Sequence, residues 1–238
     1  MKYASQHKKY DILVIGGDAA GMSAASQARR ISPTLSIAVL ERGRHVSYAA
    51  CGLPYYIADD VKDSQSLIAI DIEKFRMHRN IDIQLDTEVI KVDFSAKTAK
   101  AVSSGEIIDF QYEKLVIATG ARPLSPPIAG IDGPTVFFLR DLAQGIAIKE
   151  FIATHSPRAG LIIGGGFIGL EMAESLRKLS IAATILEKFE SVAMPMSPEI
   201  RERISQTLAD NGVSVITSVN ISHIDTDGTA PALHTDKG

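Results

Sequence analysis

One pattern occurs twice in this chain, over residues 11–41 and again over residues 161–187. Each copy has an apolar run, a glycine-rich turn, a helix-favouring segment and a second apolar run that ends in an acidic residue. A strand, a tight turn, a helix and another strand form a βαβ unit, whose strands pair in parallel. The repeat therefore predicts an α/β chain built from two similar units.

The second glycine turn has the full G-x-G-x-x-G spacing, at Gly164, Gly166 and Gly169. The first glycine allows a tight turn, the second lets the backbone approach a pyrophosphate, and the third lets the helix pack closely on the strand. Glu187 ends the next strand and suits the hydroxyls of an adenosine ribose, and its charge would repel a 2′-phosphate. This turn predicts NADH as a ligand, and the adjacent Lys188 leaves NADPH possible.

The first glycine turn keeps part of the same pattern. Gly16 and Gly21 are the outer glycines, Asp18 replaces the middle one, and Glu41 ends the following strand. Two dinucleotide sites in one chain indicate an electron relay, in which a nicotinamide nucleotide delivers hydride to a bound FAD. A reactive thiol just beyond the first site would be the next acceptor.

The middle of the chain has a different pattern. Residues 81–93, 98–102 and 106–112 are short alternating or β-branched runs, which predict an antiparallel meander inserted between parallel strands. Residues 114–118 follow as a continuous apolar strand. The second copy ends before any strand of that kind, so we expect the second unit to be incomplete.

Composition excludes several classes of function. A net charge of -3 gives no basic excess for nucleic acid, and no apolar run approaches the roughly 20 residues that span a bilayer. The first eleven residues lack the apolar core of a signal peptide, so we expect a cytoplasmic protein without a membrane partner. The six histidines are scattered without ligand spacing, so no metal site is expected.

The only cysteine, Cys51, stands in the stretch SYAACGLPYY. A lone cysteine in a globular protein is most often a small buried hydrophobe. Pro54 suits the first turn of a short helix, which would place Cys51 near a positive helix end, where a thiolate is stabilised. Its place after the first dinucleotide site favours a redox role.

Five segments in order resemble the pyridine nucleotide–disulfide oxidoreductases: DILVIGGDAAGMSAA, VLERG, SYAACGLPYY, LVIATGARP and LIIGGGFIGLEMAE. Most members use a cysteine pair, but the C-x4-C and C-x2-C positions around Cys51 hold Val46, Tyr56, Tyr48 and Pro54. The single-cysteine branch contains coenzyme A disulfide reductases, NADH oxidases and NADH peroxidases. The stretches CGLPYY and ASQARR are most similar to the coenzyme A disulfide reductases.

The resemblance implies three sets of ligand residues. The FAD set is Gly16, Gly17, Ala20, Gly21, Glu41, Arg42, Val89, Thr119 and Gly120. The nicotinamide nucleotide set is Gly164, Gly166, Phe167, Ile168, Gly169, Glu171 and Glu187, with Glu171 near the nicotinamide half. The coenzyme A set is Ser23, Gln27, Arg30, Ser47 and Arg79.

The resemblance also implies a fold and a reaction. The fold is α/β, with two Rossmann-like FAD/NAD(P)-binding units that have parallel sheets and an inserted antiparallel meander. An FAD-binding domain would cover residues 1–148, and a truncated NAD(P)-binding domain would cover residues 149–238 of a homodimeric parent enzyme. Hydride from NADH, with NADPH as the alternative donor, would reach Cys51 through FAD, and the thiol would reduce coenzyme A disulfide or another low-molecular-weight disulfide.

Three alternatives stay open. Ala50 stands where the family often has Asn before the cysteine, which leaves room for an NADH oxidase or peroxidase that uses oxygen or peroxide through a Cys51 sulfenic acid. The chain can also be a catalytically incomplete dinucleotide-binding fragment, or a thiol redox sensor on the same fold.

Overall fold

A computed structural model describes residues 7–226 and 231–237 of the chain. The helices are α1 (Ala19–Ile31), α2 (Leu53–Ile57), α3 (Ile72–Arg79), α4 (Leu142–His155), α5 (Phe167–Lys178) and α6 (Pro198–Asp210). The strands are β1 (His7–Ile15), β2 (Ile37–Leu40), β3 (Asp82–Gln84), β4 (Thr87–Asp93), β5 (Thr98–Ser103), β6 (Glu106–Ile117), β7 (Ala159–Ile163), β8 (Ala182–Leu186), β9 (Val213–Ile216), β10 (Ile221–Asp225) and β11 (Ala232–Thr235).

These elements fall into two compact units. Unit 1 contains the described residues up to Ala49 together with Gln65–Ala121. Unit 2 contains Ala50–Ser64 together with the described residues from Arg122 onward. The segment Ala50–Ser64, which carries Cys51, therefore belongs to unit 2, although residues of unit 1 precede and follow it in the chain. The assignment of FAD to residues 1–148 and of the nicotinamide nucleotide to residues 149–238 concerns binding and stays a prediction.

Unit 1 is built on a six-stranded sheet in the order β3-β2-β1-β6-β5-β4. β1 pairs in parallel with β2 on one side and with β6 on the other, as the βαβ pattern predicts. The predicted antiparallel meander is present as β4, β5 and β6. β6 is one continuous strand that includes the apolar run 114–117, so the meander and the parallel strands share a single sheet.

The meander was expected to begin at residue 81, and this expectation was wrong. β3 pairs in parallel with β2 at the sheet edge, and the antiparallel strands begin only at Thr87. Ile81 and Ile83 are almost fully buried in a core with Met22 and Phe75, which belong to α1 and α3. The burial of these two side chains explains why the segment joins the parallel side of the sheet.

Unit 2 contains a three-stranded parallel sheet in the order β7-β8-β9 and a separate antiparallel pair, β10 and β11. Ala173 of α5 packs with Ile185 and Val213 in one buried cluster of the unit. Within the described residues β7 pairs only with β8, so unit 2 has no counterpart of β6. The repeated strand, turn, helix and strand are thus confirmed, and the second unit has fewer strands, as predicted.

Helix boundaries in unit 2 agree with the turn signals to within a few residues. α6 begins at Pro198 after Ser197, since proline suits the first turn of a helix, and it ends before Asn211 and Gly212. α5 begins at Phe167, directly after the second glycine of the motif. Gly166 is its N-cap, so the third glycine of the motif lies inside the first turn of the helix.

Candidate functional site

The first glycine turn joins β1 to α1. Gly16 has a φ of +103°, in the region that favours glycine. A Cβ on Gly16 would lie 2.2 Å from the Ala118 carbonyl oxygen, and a Cβ on Gly21 would lie 1.9 Å from that of Gly16. Both positions require glycine, because a side chain on Gly16 would collide with the backbone after β6 and one on Gly21 with the backbone of the turn.

Glu41 holds this turn through both carboxylate oxygens. The N–H of Gly17 donates to Oε2 at 2.6 Å, and the N–H of Gly43 donates to Oε1 at 2.7 Å. The Glu41 carbonyl accepts the N–H of Thr87 at 2.9 Å, so β4 begins beside it. Each carboxylate oxygen has a second lone pair, so Glu41 can also accept a hydrogen bond from a ribose hydroxyl.

The other predicted FAD residues lie along the same edge of unit 1. Ala20 is exposed in the first turn of α1, and Arg42 is exposed directly after Glu41. Thr119 and Gly120 are exposed and follow β6, whereas Val89 is half-buried two residues into β4. The structure therefore brings Ala20, Arg42, Thr119 and Gly120 to the carboxyl ends of the parallel strands, where open α/β sheets bind ligands, whereas Val89 lies within antiparallel β4.

The second glycine turn repeats the geometry of the first. Gly164 has a φ of +102°, and its N–H donates to the Leu186 carbonyl at 2.8 Å. The N–H of Gly165 donates to Glu187 Oε2 at 2.6 Å, and the N–H of Phe189 donates to Oε1 at 2.8 Å. Glu187 is 8% exposed. The two units thus share a glycine turn closed by a carboxylate from the end of the next strand.

The space beside Gly166 in the second turn is open. A Cβ on Gly166 would meet no described atom within 4 Å, whereas a Cβ on Gly169 would lie 2.1 Å from the Gly164 carbonyl oxygen. Phe167 and Ile168 are exposed, and the first N–H groups of α5 have no partner within the helix. A pyrophosphate fits this arrangement, because phosphates bind at free helix N-termini approached through glycine.

Glu171, predicted to lie near the nicotinamide half, is half-buried on α5, one turn beyond Phe167. It lines a small cavity together with Pro54 and Tyr55 of α2. The nicotinamide set of residues therefore lies in the second glycine turn and the first half of α5, apart from Glu187, which follows β8.

Cys51 is exposed and its thiol is free. It lies in a 3-10 turn, Ala50–Gly52, that leads directly into α2, and Pro54 occupies the first turn of that helix, as predicted. The exposed position excludes the common role of a lone cysteine as a buried hydrophobe. Burial in this segment comes instead from Leu53 and Ile57, which are 2% and 1% exposed.

The predicted coenzyme A residues lie on or near α1 in unit 1. Ser23, Gln27 and Arg30 are exposed at i, i+4 and i+7, so they share one face of the helix. Arg79 reaches α1 because its guanidinium donates to Ser26 Oγ at 2.6 Å.

Ser47, the fifth residue of that set, lies beside the first glycine turn. Its N–H donates to the Gly17 carbonyl at 3.0 Å, and its φ is +52°. The structure thus places the set along one side of unit 1, from the first turn to the end of α1.

The contacts that hold the Cys51 segment were not anticipated from the sequence. They come from Lys149 on α4 and Ser175 on α5. A usable signal for α4 is the capping box of Asp141 and Gln144, in which each side chain bonds the backbone N–H of the other residue. No comparable signal marks Ser175.

A family model described as pyridine nucleotide-disulphide oxidoreductase matches residues 10–238. The chain belongs to this family. An NADH oxidase from Methanocaldococcus jannaschii is 33% identical to this chain over 215 residues, which cover 89% of the chain and 48% of the relative. A coenzyme A disulfide reductase from Staphylococcus haemolyticus is 31% identical, over 83% of the chain and 44% of the relative.

A solved structure of an NAD-dependent persulfide reductase from A. fulgidus matches this family member with a TM-score of 0.90 and 36% identity, over 94% of the chain and 42% of that structure. The chain spans about half the length of the curated relatives it matches. The fold class and the family predicted from the motifs are therefore confirmed.

Membrane-spanning helices and metal-ligand clusters are both absent from the described residues. None of its helices, over the part of the chain that the structure describes, combines the length and apolarity needed to cross a bilayer. Within the same residues, no group of three or more His, Cys, Asp or Glu side chains could hold a metal ion.

Proposed function

We propose that this oxidoreductase uses FAD and a nicotinamide nucleotide to reduce a low-molecular-weight sulfur–sulfur bond at Cys51, with coenzyme A disulfide as the favoured substrate. The observation that carries the proposal is the duplicated turn, in which Gly17 bonds Glu41 and Gly165 bonds Glu187 in the same way. Two dinucleotide sites accompanied by one exposed thiol suit a relay that ends on sulfur.

The two cofactors would be held by different units. Glu41 and the turn around Gly17 would hold the FAD ribose and pyrophosphate, and Glu187 and the turn around Gly165 would hold the corresponding part of NADH. When bound, FAD supplies the chemistry of accepting a hydride and passing two electrons to sulfur. The protein's own task is to fix both dinucleotides and to present Cys51.

The thiolate of Cys51 would attack one sulfur of coenzyme A disulfide. A bond forms between Cys51 Sγ and that sulfur as the original S–S bond breaks, and one coenzyme A leaves as a thiolate. Two electrons and the proton carried by the hydride of NADH then restore the Cys51 thiolate and release the second coenzyme A as a thiol. Each NADH therefore yields two free coenzyme A molecules.

Coenzyme A would be recognised by α1 and its neighbours. Arg30 and Arg79 offer guanidinium groups to its phosphates, which are well suited to charge-assisted bonds, and Ser23 and Gln27 offer neutral donors. The coenzyme A disulfide reductase of S. haemolyticus among the relatives supports this substrate. A persulfide of coenzyme A would present the same phosphates and a similar S–S bond, in line with the persulfide reductase neighbour.

The relay is tested by adding FAD to the purified chain and following its absorbance spectrum. We expect a yellow complex whose visible flavin absorbance is bleached by NADH under anaerobic conditions. A chain that retains no flavin absorbance after unbound FAD is removed by gel filtration would exclude the relay for this protein.

A second candidate is an NADH oxidase or peroxidase, supported by the M. jannaschii relative and by Ala50 beside the cysteine. Peroxide would oxidise Cys51 to a sulfenic acid with release of water, and two electrons and two protons would return it to the thiol with a second water. NADH consumption that needs oxygen and does not respond to coenzyme A disulfide would favour this candidate.

The nucleotide preference should depend on Glu187. Replacing Glu187 by Gln removes the negative charge while keeping a similar shape, so the repulsion of a 2′-phosphate is lost. We expect the ratio of the dissociation constants for NADPH and NADH to fall by about tenfold or more, which corresponds to about 1.4 kcal/mol. Titration of NADH and NADPH fluorescence measures both constants.

Glu190→Gln is the matched control for this change. The Glu190 side chain is 76% exposed and contacts Arg201 at 3.6 Å, without bonding the glycine turn. We expect its nucleotide ratio to stay at the wild-type value. An unchanged ratio in Glu187→Gln would show that this carboxylate does not face the ribose.

A further inference from the structure

α2 depends on its neighbours in unit 2. A helix of five residues does not persist alone, because it forms too few internal hydrogen bonds to offset nucleation. Leu53 packs against α4 at Gly145, where a Cβ would lie only 2.8 Å from the leucine side chain. The position of Cys51, two residues before α2, is therefore set by the helices that hold α2.

Lys149 of α4 holds the carboxyl end of α2. Its Nζ donates to the Tyr56 carbonyl at 2.8 Å, lies 2.8 Å from Asp59 Oδ1, and stands 4.1 Å from the centre of the Tyr56 ring. The hydrogen bond from Lys149, with a second from Lys62, lowers the pKa of Asp59 to about 2. The Lys149 side chain is 21% exposed, so this contact is partly shielded from solvent.

Ser175 of α5 holds the first turn of α2. Its Oγ lies 2.9 Å from the Pro54 carbonyl oxygen and 2.9 Å from that of Glu171, so its single proton is shared between the two helices. Ser175 is 3% exposed. A nearby ion pair, Lys178 with Asp60 at 2.8 Å, is exposed and contributes little.

We propose that Ser175 is a positioning residue that links the second glycine turn to the Cys51 segment. α5 starts at that turn, and a ligand that binds only the folded helix suppresses local unfolding of the helix. Because Ser175 joins α5 to Pro54, the local unfolding of α2 is suppressed together with that of α5. A bound nicotinamide nucleotide thus orders the segment that presents the thiol. The inference rests on the proposed function, since it needs that nucleotide at the turn.

Hydrogen–deuterium exchange of the full chain, with and without NADH, tests this link. The amides to follow lie in residues 53–61, where Ala58 donates to Pro54 at 2.8 Å and Asp60 donates to Tyr55 at 2.9 Å. In the wild-type protein we expect saturating NADH to slow their exchange by about fivefold or more, the lower range of typical coupling between sites. In Ser175→Ala we expect NADH to bind, as measured by its fluorescence, but no longer to slow exchange in this segment.

Lys149→Met is the matched control, because it loosens α2 from α4 and leaves α5 intact. We expect faster exchange of residues 53–61 without ligand, and the same NADH-dependent slowing as in the wild type. A purely structural role for Ser175 predicts instead that both variants keep that slowing.

The outcomes separate the two proposals. NADH that binds the wild-type chain without slowing exchange in residues 53–61 overturns the link, whatever the variants do. A Ser175→Ala protein that keeps the slowing also overturns it. Absence of NADH binding to the wild type overturns the proposed function, and the link with it.

Discussion

Replacement of Cys51 by Ser is expected to abolish disulfide-dependent NADH oxidation, with a loss of several orders of magnitude. Sulfur exchange needs a thiolate as the attacking group, and a serine hydroxyl is not ionised at neutral pH. Because Cys51 is exposed, its replacement leaves no cavity, and FAD binding should be unchanged. The measurement is the anaerobic loss of NADH absorbance with coenzyme A disulfide present.

Ala49→Ser provides the matched control, since it places a hydroxyl at an exposed position two residues before the thiol. It should turn over coenzyme A disulfide at the wild-type rate. If Cys51→Ser kept disulfide-dependent turnover, the thiol would not be the acceptor in the relay, and the sulfur chemistry proposed for this chain would be wrong.

Two substitutions in the second glycine turn are expected to act on different properties. Gly166→Ala should weaken NADH binding, and Gly169→Val should destabilise the fold. Gly166 has a φ of -76° and open space at its Cβ, so Gly166→Ala should fold normally. Its new methyl group would occupy the approach of the pyrophosphate, and we expect NADH affinity to fall by about tenfold or more, about 1.4 kcal/mol.

Gly169→Val should act on folding itself. Its Cβ would lie 2.1 Å from the Gly164 carbonyl oxygen, and overpacking of this kind costs roughly 1–3 kcal/mol. We expect a clear fall in the melting temperature. Thermal denaturation combined with NADH fluorescence titration separates the two variants, and each serves as the control for the other. Normal NADH binding by Gly166→Ala would contradict the assignment of the pyrophosphate to this turn.

Much of the candidate site could be predicted because its signals are local. The glycines of each turn, the acidic residue that follows and the strands between them lie within about one βαβ unit, whose geometry fixes their proximity. Glu187 was predicted as a ribose ligand from its place at the end of a strand, and Glu41, which has the same place in the first unit, as an FAD ligand; both stay predictions. The structure adds that each carboxylate also bonds the N–H of a turn glycine.

The contacts around Cys51 could not be predicted, because they join distant parts of the chain. Ser175 and Pro54 are 121 residues apart, and nothing local to either residue indicates the other. α4 is difficult to recognise from periodicity, because its segment LAQGIAIKEFIATH has apolar residues around the whole helix. β3 was wrongly assigned to the antiparallel meander, because side chains alternate between the two faces of a sheet in the same way in parallel and antiparallel strands.

The central claim is that both dinucleotide turns and Cys51 act in one reaction, and its stoichiometry tests it most directly. The FAD-supplemented chain is mixed with NADH and coenzyme A disulfide without oxygen, and the free thiols formed are counted against the NADH consumed. The proposed chemistry predicts two coenzyme A thiols for each NADH. NADH consumption without thiol release, or consumption only after oxygen is admitted, would contradict it.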